Sequence, residues 1–404
     1  MPRSGDGAGR LLGVDVARCL ALVGMVATHV VDPRDPDGSL SAAQWLAGGR
    51  ASALFAVLLG VSLALTTGRR EPVQGRERAA RSAGVVVRAV LIGLLGLALG
   101  QPDSGLAVIL TYYAVLLLLA LPFLGLRPPA LLGLAAAWVV AAPLFSYVLR
   151  AELAPRGVAS PTFAQLVADP TGLLAELLWT GYYPAVPWLS YVLVGLALGR
   201  LDLARRAVGT AIALGGLVLA VGASALAGAL VARTDLTAAQ LDEAAGGMFG
   251  TTPPGEPGWL VAAAPHSSTT LDLLQTTGSA GLVLGLCLLL DATLVRHGLD
   301  VARRAVGIVF GAGTMVLTLY SLHVLLRTDR LWPPEESSAY PAHLLVLLGI
   351  GALYAAAGRR GPLEQLVSLA SQGAARLVRG RPGRPSDRPS AGPAAGPSDG
   401  PSDG

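Results

Sequence analysis

The chain has 404 residues, of which 53% are hydrophobic, 14% charged and 5% aromatic. With a mean hydropathy of +0.58, this excludes an ordinary soluble domain and points to the bilayer. The net charge is +4 and all 30 basic residues are arginine, but they fall in short segments between apolar runs. That spacing excludes a nucleic-acid-binding stripe.

In chain order, residues 1–10 read as a short cytoplasmic N-terminus. The first apolar run, 11–31, contains GVDVARCLALVGMVATHV. It is too long for a signal-peptide core and carries Asp15 and Arg18, so it is expected to be a retained span. Further runs of span length follow at 50–67, 83–100, 105–126, 128–149, 182–200, 207–231, 269–290, 305–326 and 340–357. The predicted fold is all-α: a polytopic membrane helical bundle of about ten transmembrane helices over 11–357.

Orientation follows from the connecting segments. One side carries Arg69, Arg70, Arg76, Arg78 and Arg81, then Arg200, Arg205 and Arg206, then Arg296, Arg303 and Arg304. The other carries Asp32, Asp35, Asp37, Asp103, Asp169, Asp235, Asp242 and Glu243. The arginine-rich side is expected in the cytoplasm, with both termini there, in the cytoplasmic membrane. The long loops 150–181 and 232–268 then face outward. Residues 358–404 form a cytoplasmic tail, expected to be disordered from about 380 because it is rich in Pro, Ser and Gly. Glycine pairs four apart, such as Gly195/Gly199 and Gly281/Gly285, suit close helix packing.

Cys19 and Cys287 lie inside apolar runs, so neither a disulfide framework nor a metal site is expected. No phosphate-binding loop or nucleophile elbow occurs in a credible context. What remains is a set of polar residues inside spans, where each is expensive and marks a functional hypothesis. Asp15 and Arg18 are one turn apart and can pair. His29 lies eleven residues past Arg18, which brings it back to within roughly 20° on the helix at about 16 Å along the axis. One stripe thus joins the two faces of the membrane. Near the outer ends of other spans lie Arg50, Tyr182, Tyr183, Trp188, His266, Asp272, Tyr320 and His323, candidates to meet an acceptor substrate. Trp188 and His343, each taken singly, read more simply as interfacial anchors, and Arg88 as a side chain that snorkels to the cytoplasmic surface. A neutral imidazole suits general-base chemistry on a hydroxyl or amine. The same residues equally suit a transporter or flippase with a proton path.

GVDVARCLALVGMVATH resembles the first span of the bacterial relatives of heparan-α-glucosaminide N-acetyltransferase and of YeiB-like proteins. GRASALFAVLLGVSLAL, YYPAVPWLSYVLVGLALGRLDL, APHSSTTLDLLQTTG and LTLYSLHVLL are similar to later parts of that group, so the resemblance covers roughly 10–357. The spacing of Arg18 and His29 also resembles the broader membrane acyltransferase-3 group. The resemblance implies a membrane acyltransferase. It would take an acetyl or other small acyl group from cytoplasmic acetyl-CoA or another acyl-CoA and pass it to an extracytoplasmic carbohydrate or cell-envelope acceptor. His29 would be the catalytic base, Asp15 and Arg18 would organise the donor end, and a homo-oligomer is left open. The glucosaminide enzyme has asparagine at the position of His29 and its catalytic histidine eleven residues later, where this chain has Leu40.

Overall fold

A computed structural model describes residues 11–155, 160–328 and 337–379. The expected N-terminal segment 1–10 and the tail from 380 lie outside the described residues. Helices account for nearly all of the regular structure, since a backbone in hydrocarbon must satisfy its own N–H and C=O groups. Among the described residues there is no strand, only an antiparallel bridge between Arg34 and Leu40.

The helices are α1 (Leu12–Val30), α2 (Ala42–Ala47), α3 (Arg50–Thr66), α4 (Gly75–Leu99), α5 (Leu110–Leu119) and α6 (Pro128–Leu149). Then come α7 (Phe163–Ala168), α8 (Pro170–Ala175), α9 (Ala185–Gly199), α10 (Arg206–Val231) and α11 (Ala238–Ala245). The chain continues with α12 (Thr270–Arg296), α13 (Asp300–Val309), α14 (Val316–Leu326), α15 (Tyr340–Ala356) and α16 (Pro362–Arg379). Among the described residues six helices are long and apolar enough to cross a membrane, or seven if the bent pair Pro170–Thr180 and Ala185–Gly199 is one span. Each of the ten expected intervals contains an apolar helix, but α5, α14 and α15 are short. The count of ten therefore exceeds what length and composition support.

The shortfalls have local causes. Pro122 sits in a 3₁₀ turn, Leu121–Gly125, that closes α5, since proline cannot continue the helix ladder. A Gly-Ala-Gly-Thr stretch forms the 3₁₀ turn Gly311–Thr314 and splits the expected span 305–326 into α13 and α14. A π-helical turn, Glu176–Thr180, followed by the Gly181–Pro184 break, bends the sixth span by 52°.

Small residues set the closest helix contacts. α3 and α9 run parallel, and a Cβ on Gly195 would sit 2.0 Å from the Val57 carbonyl oxygen. α10 and α12 run antiparallel through Gly216, Gly278 and Gly285, each of which would clash with facing backbone if it carried a Cβ. Gly195→Ala should therefore destabilise the bundle by about 1–3 kcal/mol through overpacking, read as a lower thermal midpoint in detergent.

Polar ties close the arginine-rich end. Arg200 donates to the carbonyls of Thr67 (3.2 Å) and Arg69 (2.8 Å). Asp291 pairs with Arg303 at 2.8 Å and accepts from the Gly13 N–H at 3.4 Å. The last helix, α16, lies along α4, where Gly84 leaves room for the Ser371 carbonyl. Glu77 accepts from both Arg81 (2.7 Å) and Arg379 (2.6 Å).

Candidate active site

The stripe on α1 is built as its spacing implies. Arg18 Nη1 lies 2.9 Å from Asp15 Oδ1, and Nη2 donates to Ser62 Oγ on α3 at 2.7 Å. At the far end of the same helix, His29 Nδ1 is 3.1 Å from His323 Nε2 on α14, with the two rings within 5° of parallel. One nitrogen of this pair donates and the other accepts, according to tautomer. His343 on α15 stands edge-on to His323 at 5.4 Å, and both are fully buried.

Below the histidines lies an elongated cavity of about 470 Å³. Arg18, Arg81 and Arg88 line its arginine-rich end, together with Glu364 and Ser371 of α16. Phe55, Leu58, Leu59 and Ile92 form apolar walls, and Met25, Tyr113 and Tyr320 close the inner end. On α4 the wall runs from Arg81 to Ile92, about 16 Å at the helical rise. Tyr320 is fixed by accepting from the Ile109 N–H at 3.2 Å. Met25 precedes His29 and Tyr320 precedes His323 each by about one turn. Two independent helices thus place the inner end of the cavity next to the histidine pair.

The polar atoms on the cavity wall fit an anionic, hydrogen-bonding ligand. Arg88 Nε and Ser371 Oγ are buried with no protein partner, an expensive arrangement unless something else satisfies them. Glu364 is already engaged, accepting from the Thr318 N–H at 3.1 Å and from its hydroxyl at 2.6 Å. Arg88 lines the cavity with Arg18 and Glu364. It therefore faces the bundle interior, and the expectation that it snorkels is corrected.

A second cluster lies at the acidic end. The Gly181–Pro184 break presents Tyr182 and Tyr183 to His266, with ring centroids at 4.6 and 5.7 Å, and Trp188 stacks nearly parallel to His266 at 6.4 Å. Phe249, exposed, stands edge-on to Tyr182. The loop that carries His266 is strained: His266 (φ 59°) and Ser268 (φ 54°) both adopt the left-handed region without being glycine, at a cost of order 1–3 kcal/mol each. Hydrogen bonds hold it there. The Ser268 N–H donates to Asp272 Oδ2 at 3.0 Å, Trp188 Nε1 donates to Ser268 Oγ at 3.2 Å, and the Gly250 N–H donates to the His266 carbonyl at 2.9 Å. His266 lies outside the spanning helices, and burial pushes its imidazole down to about 4. On the π-helical turn, Glu176 accepts from Tyr112 (3.1 Å) and Gln165 (2.7 Å).

The structure thus joins His29 to His323, sets Tyr320 at the cavity's inner end, and gathers Tyr182, Trp188 and His266 into one aromatic group. Trp188 and His343 are buried core residues, not interfacial anchors. Arg50 does not line the donor cavity. It donates to the Trp45 carbonyl at 2.6 Å and to the Gln275 side-chain oxygen on α12 at 2.6 Å, and it lines a lateral groove with Ala47, Ser279 and Tyr340. Leu40 lies in the bridged loop after α1, away from the cavity lining. Sequence reasoning missed Tyr113, Ser62, Glu364 and Ser371, because nothing but tertiary packing brings α3, α5 and α16 to one cavity. Arg88 was the available signal: an arginine well inside a span.

Among the described residues no group of three or more His, Cys, Asp or Glu side chains is arranged to hold a metal ion. No curated protein matches the chain. The family model for heparan-alpha-glucosaminide N-acetyltransferase, catalytic, matches residues 10–227, more than half of the chain. The match takes in Asp15, Arg18, His29, Arg88 and Tyr113, while His266, Tyr320 and His323 lie beyond it. With several apolar helices of membrane-spanning length, the chain is a multi-pass membrane protein, and it belongs to the heparan-alpha-glucosaminide N-acetyltransferase catalytic family, whose acetyl donor is acetyl-CoA.

Proposed function

We propose that the protein moves an acetyl or similarly small acyl group from cytoplasmic acyl-CoA to a hydroxyl or amine of a carbohydrate or other envelope acceptor on the far side of the membrane. The observation that carries this reading is the closeness of the arginine-lined cavity's inner end to the histidine pair. Met25 and Tyr320, which close the cavity, each lie one turn from a histidine of the pair.

The excess of arginine at one end sets that end in the cytoplasm. Arg18 and Arg88 are suited to phosphate or pantetheine oxygens, as guanidinium groups bind anions through charge-assisted hydrogen bonds. Ser62 and Asp15 keep Arg18 in place. The apolar walls exclude water along the arm, and Tyr113 and Tyr320 stand where the acyl end arrives. Acyl-CoA supplies a thioester carbonyl as electrophile and a thiolate as leaving group.

In the tautomer that serves as base, His29 donates Nδ1–H to His323 Nε2 and presents its own Nε2 to the acceptor. It takes the acceptor's proton as the new bond to the acyl carbon forms and the carbon–sulfur bond breaks, and it passes that proton to the departing sulfur. His323 acts as a positioning residue, orienting the base as the third member of a catalytic triad does. Phe249 and Tyr182, at the open edge of the aromatic group around His266, supply apolar faces for a sugar ring.

Sealed proteoliposomes test this reading. Radiolabelled acetyl-CoA added at the arginine-rich face should label an amino-sugar or hydroxylated acceptor confined to the other side. Uptake of a solute that proceeds without CoA and depends on His29 would establish the transporter reading instead.

A further inference from the structure

The C-terminal elbow and α16 hold a second cavity that the reaction above leaves unused. α15 ends in a Schellman turn. The Gly358 N–H donates to the Ala355 carbonyl (3.1 Å) and the Arg359 N–H to the Tyr354 carbonyl (2.9 Å), with Gly358 at φ 63°. Glycine takes this left-handed position without the steric penalty of a side chain, so it fixes a sharp elbow. Directly after it stand Arg359 and Arg360, both exposed. They line a pocket of about 660 Å³ with Tyr354, Gln365, Ser368 and Gln372.

Ser368 and Gln372 line the donor cavity as well, and Gln372 Nε2 donates to Ser368 Oγ at 2.8 Å. α16 is therefore a rib shared by two adjacent spaces. One is narrow, mostly apolar and runs up toward the histidines. The other is open to the arginine-rich face and polar, with two guanidinium groups on a rigid turn. A mostly apolar cavity beside a polar, arginine-lined vestibule matches an anionic headgroup on an apolar arm.

We propose that this vestibule is the nucleotide subsite of the donor, with Arg359 and Arg360 binding the phosphate-bearing end of acyl-CoA. The inference rests on the acyltransferase reading and adds to it a site in residues 354–372, outside the matched family segment. The channel takes the pantetheine arm and the vestibule takes the phosphates, so α16 contributes to donor affinity without reaching the acyl group.

Calorimetry on the full chain in a neutral detergent decides it, with acetyl-CoA, 3′-dephospho-acetyl-CoA and S-acetylpantetheine as ligands. The R359A/R360A variant should bind acetyl-CoA about tenfold or more weakly, the scale of lost charge-assisted hydrogen bonds, and bind S-acetylpantetheine as the unaltered protein does. On the unaltered protein, removing the 3′-phosphate from the ligand should weaken binding in the same sense. If the unaltered protein binds acetyl-CoA and the variant binds it equally well, the two arginines only anchor the helix and the inference falls while the donor reading stands. If the unaltered protein binds none of the three ligands, the donor reading falls with it.

Discussion

His29→Ala is expected to lower the rate of acetyl transfer by about 100- to 10,000-fold, the usual worth of a positioned general base, while acetyl-CoA binding persists. The separation follows from geometry. His29 does not line the donor cavity, whose inner end stops one turn away at Met25, so removing its imidazole leaves the arginine-lined walls unchanged. His29 is half-buried, so the truncation leaves a smaller void than the loss of a core residue would. His323→Ala should also slow transfer, but it removes a fully buried ring wedged between His29 and His343 and will lower stability as well. Measuring donor Kd beside kcat separates the two effects: a loss of kcat with an intact Kd supports the base, and parallel loss of both supports a merely structural ring.

Arg88→Leu is expected to weaken acetyl-CoA binding by about tenfold or more, with a smaller effect on turnover once donor is saturating. Arg88 is a cleaner target than Arg18. Arg18 pairs with the buried Asp15 and donates to Ser62, so its removal also breaks structural contacts between α1 and α3 and costs folding stability. Arg88 has a buried Nε with no protein partner and lines the donor cavity with Arg18. Leucine removes that buried, unpartnered Nε, so the thermal midpoint should be preserved. A variant that binds donor normally would remove Arg88 from the site.

The contrast between these residues shows what the sequence could convey. Asp15, Arg18 and His29 share one helix, so a 3.6-residue period was enough to align them, and the structure keeps both the ion pair and the stripe. Tyr182, Trp188 and His266 were legible as polar or aromatic residues at span ends, but their mutual contact depends on the Gly181–Pro184 break and on two left-handed residues. Periodicity carries no information about either. The histidine pair is formed by side chains 294 positions apart in the chain; only the depth of each residue in its span was accessible beforehand. Arg50 shared that depth and still faces another groove, because depth does not fix which way a helix is rotated. The split of α13 from α14 was signalled by Gly311 and Gly313, yet the surrounding run stayed apolar enough to look continuous. α16 was hidden in the polar tail, since its apolar stripe is too narrow for a span and has meaning only against α4.

A structure of the protein with a non-reactive acetyl-CoA analogue tests the conduit most directly. The account predicts the acyl end beside Tyr113 and Tyr320, within reach of His29, and the arm running between Arg18 and Arg88. An analogue bound away from this cavity, or a channel closed between Arg88 and Tyr320 with the ligand present, would contradict it.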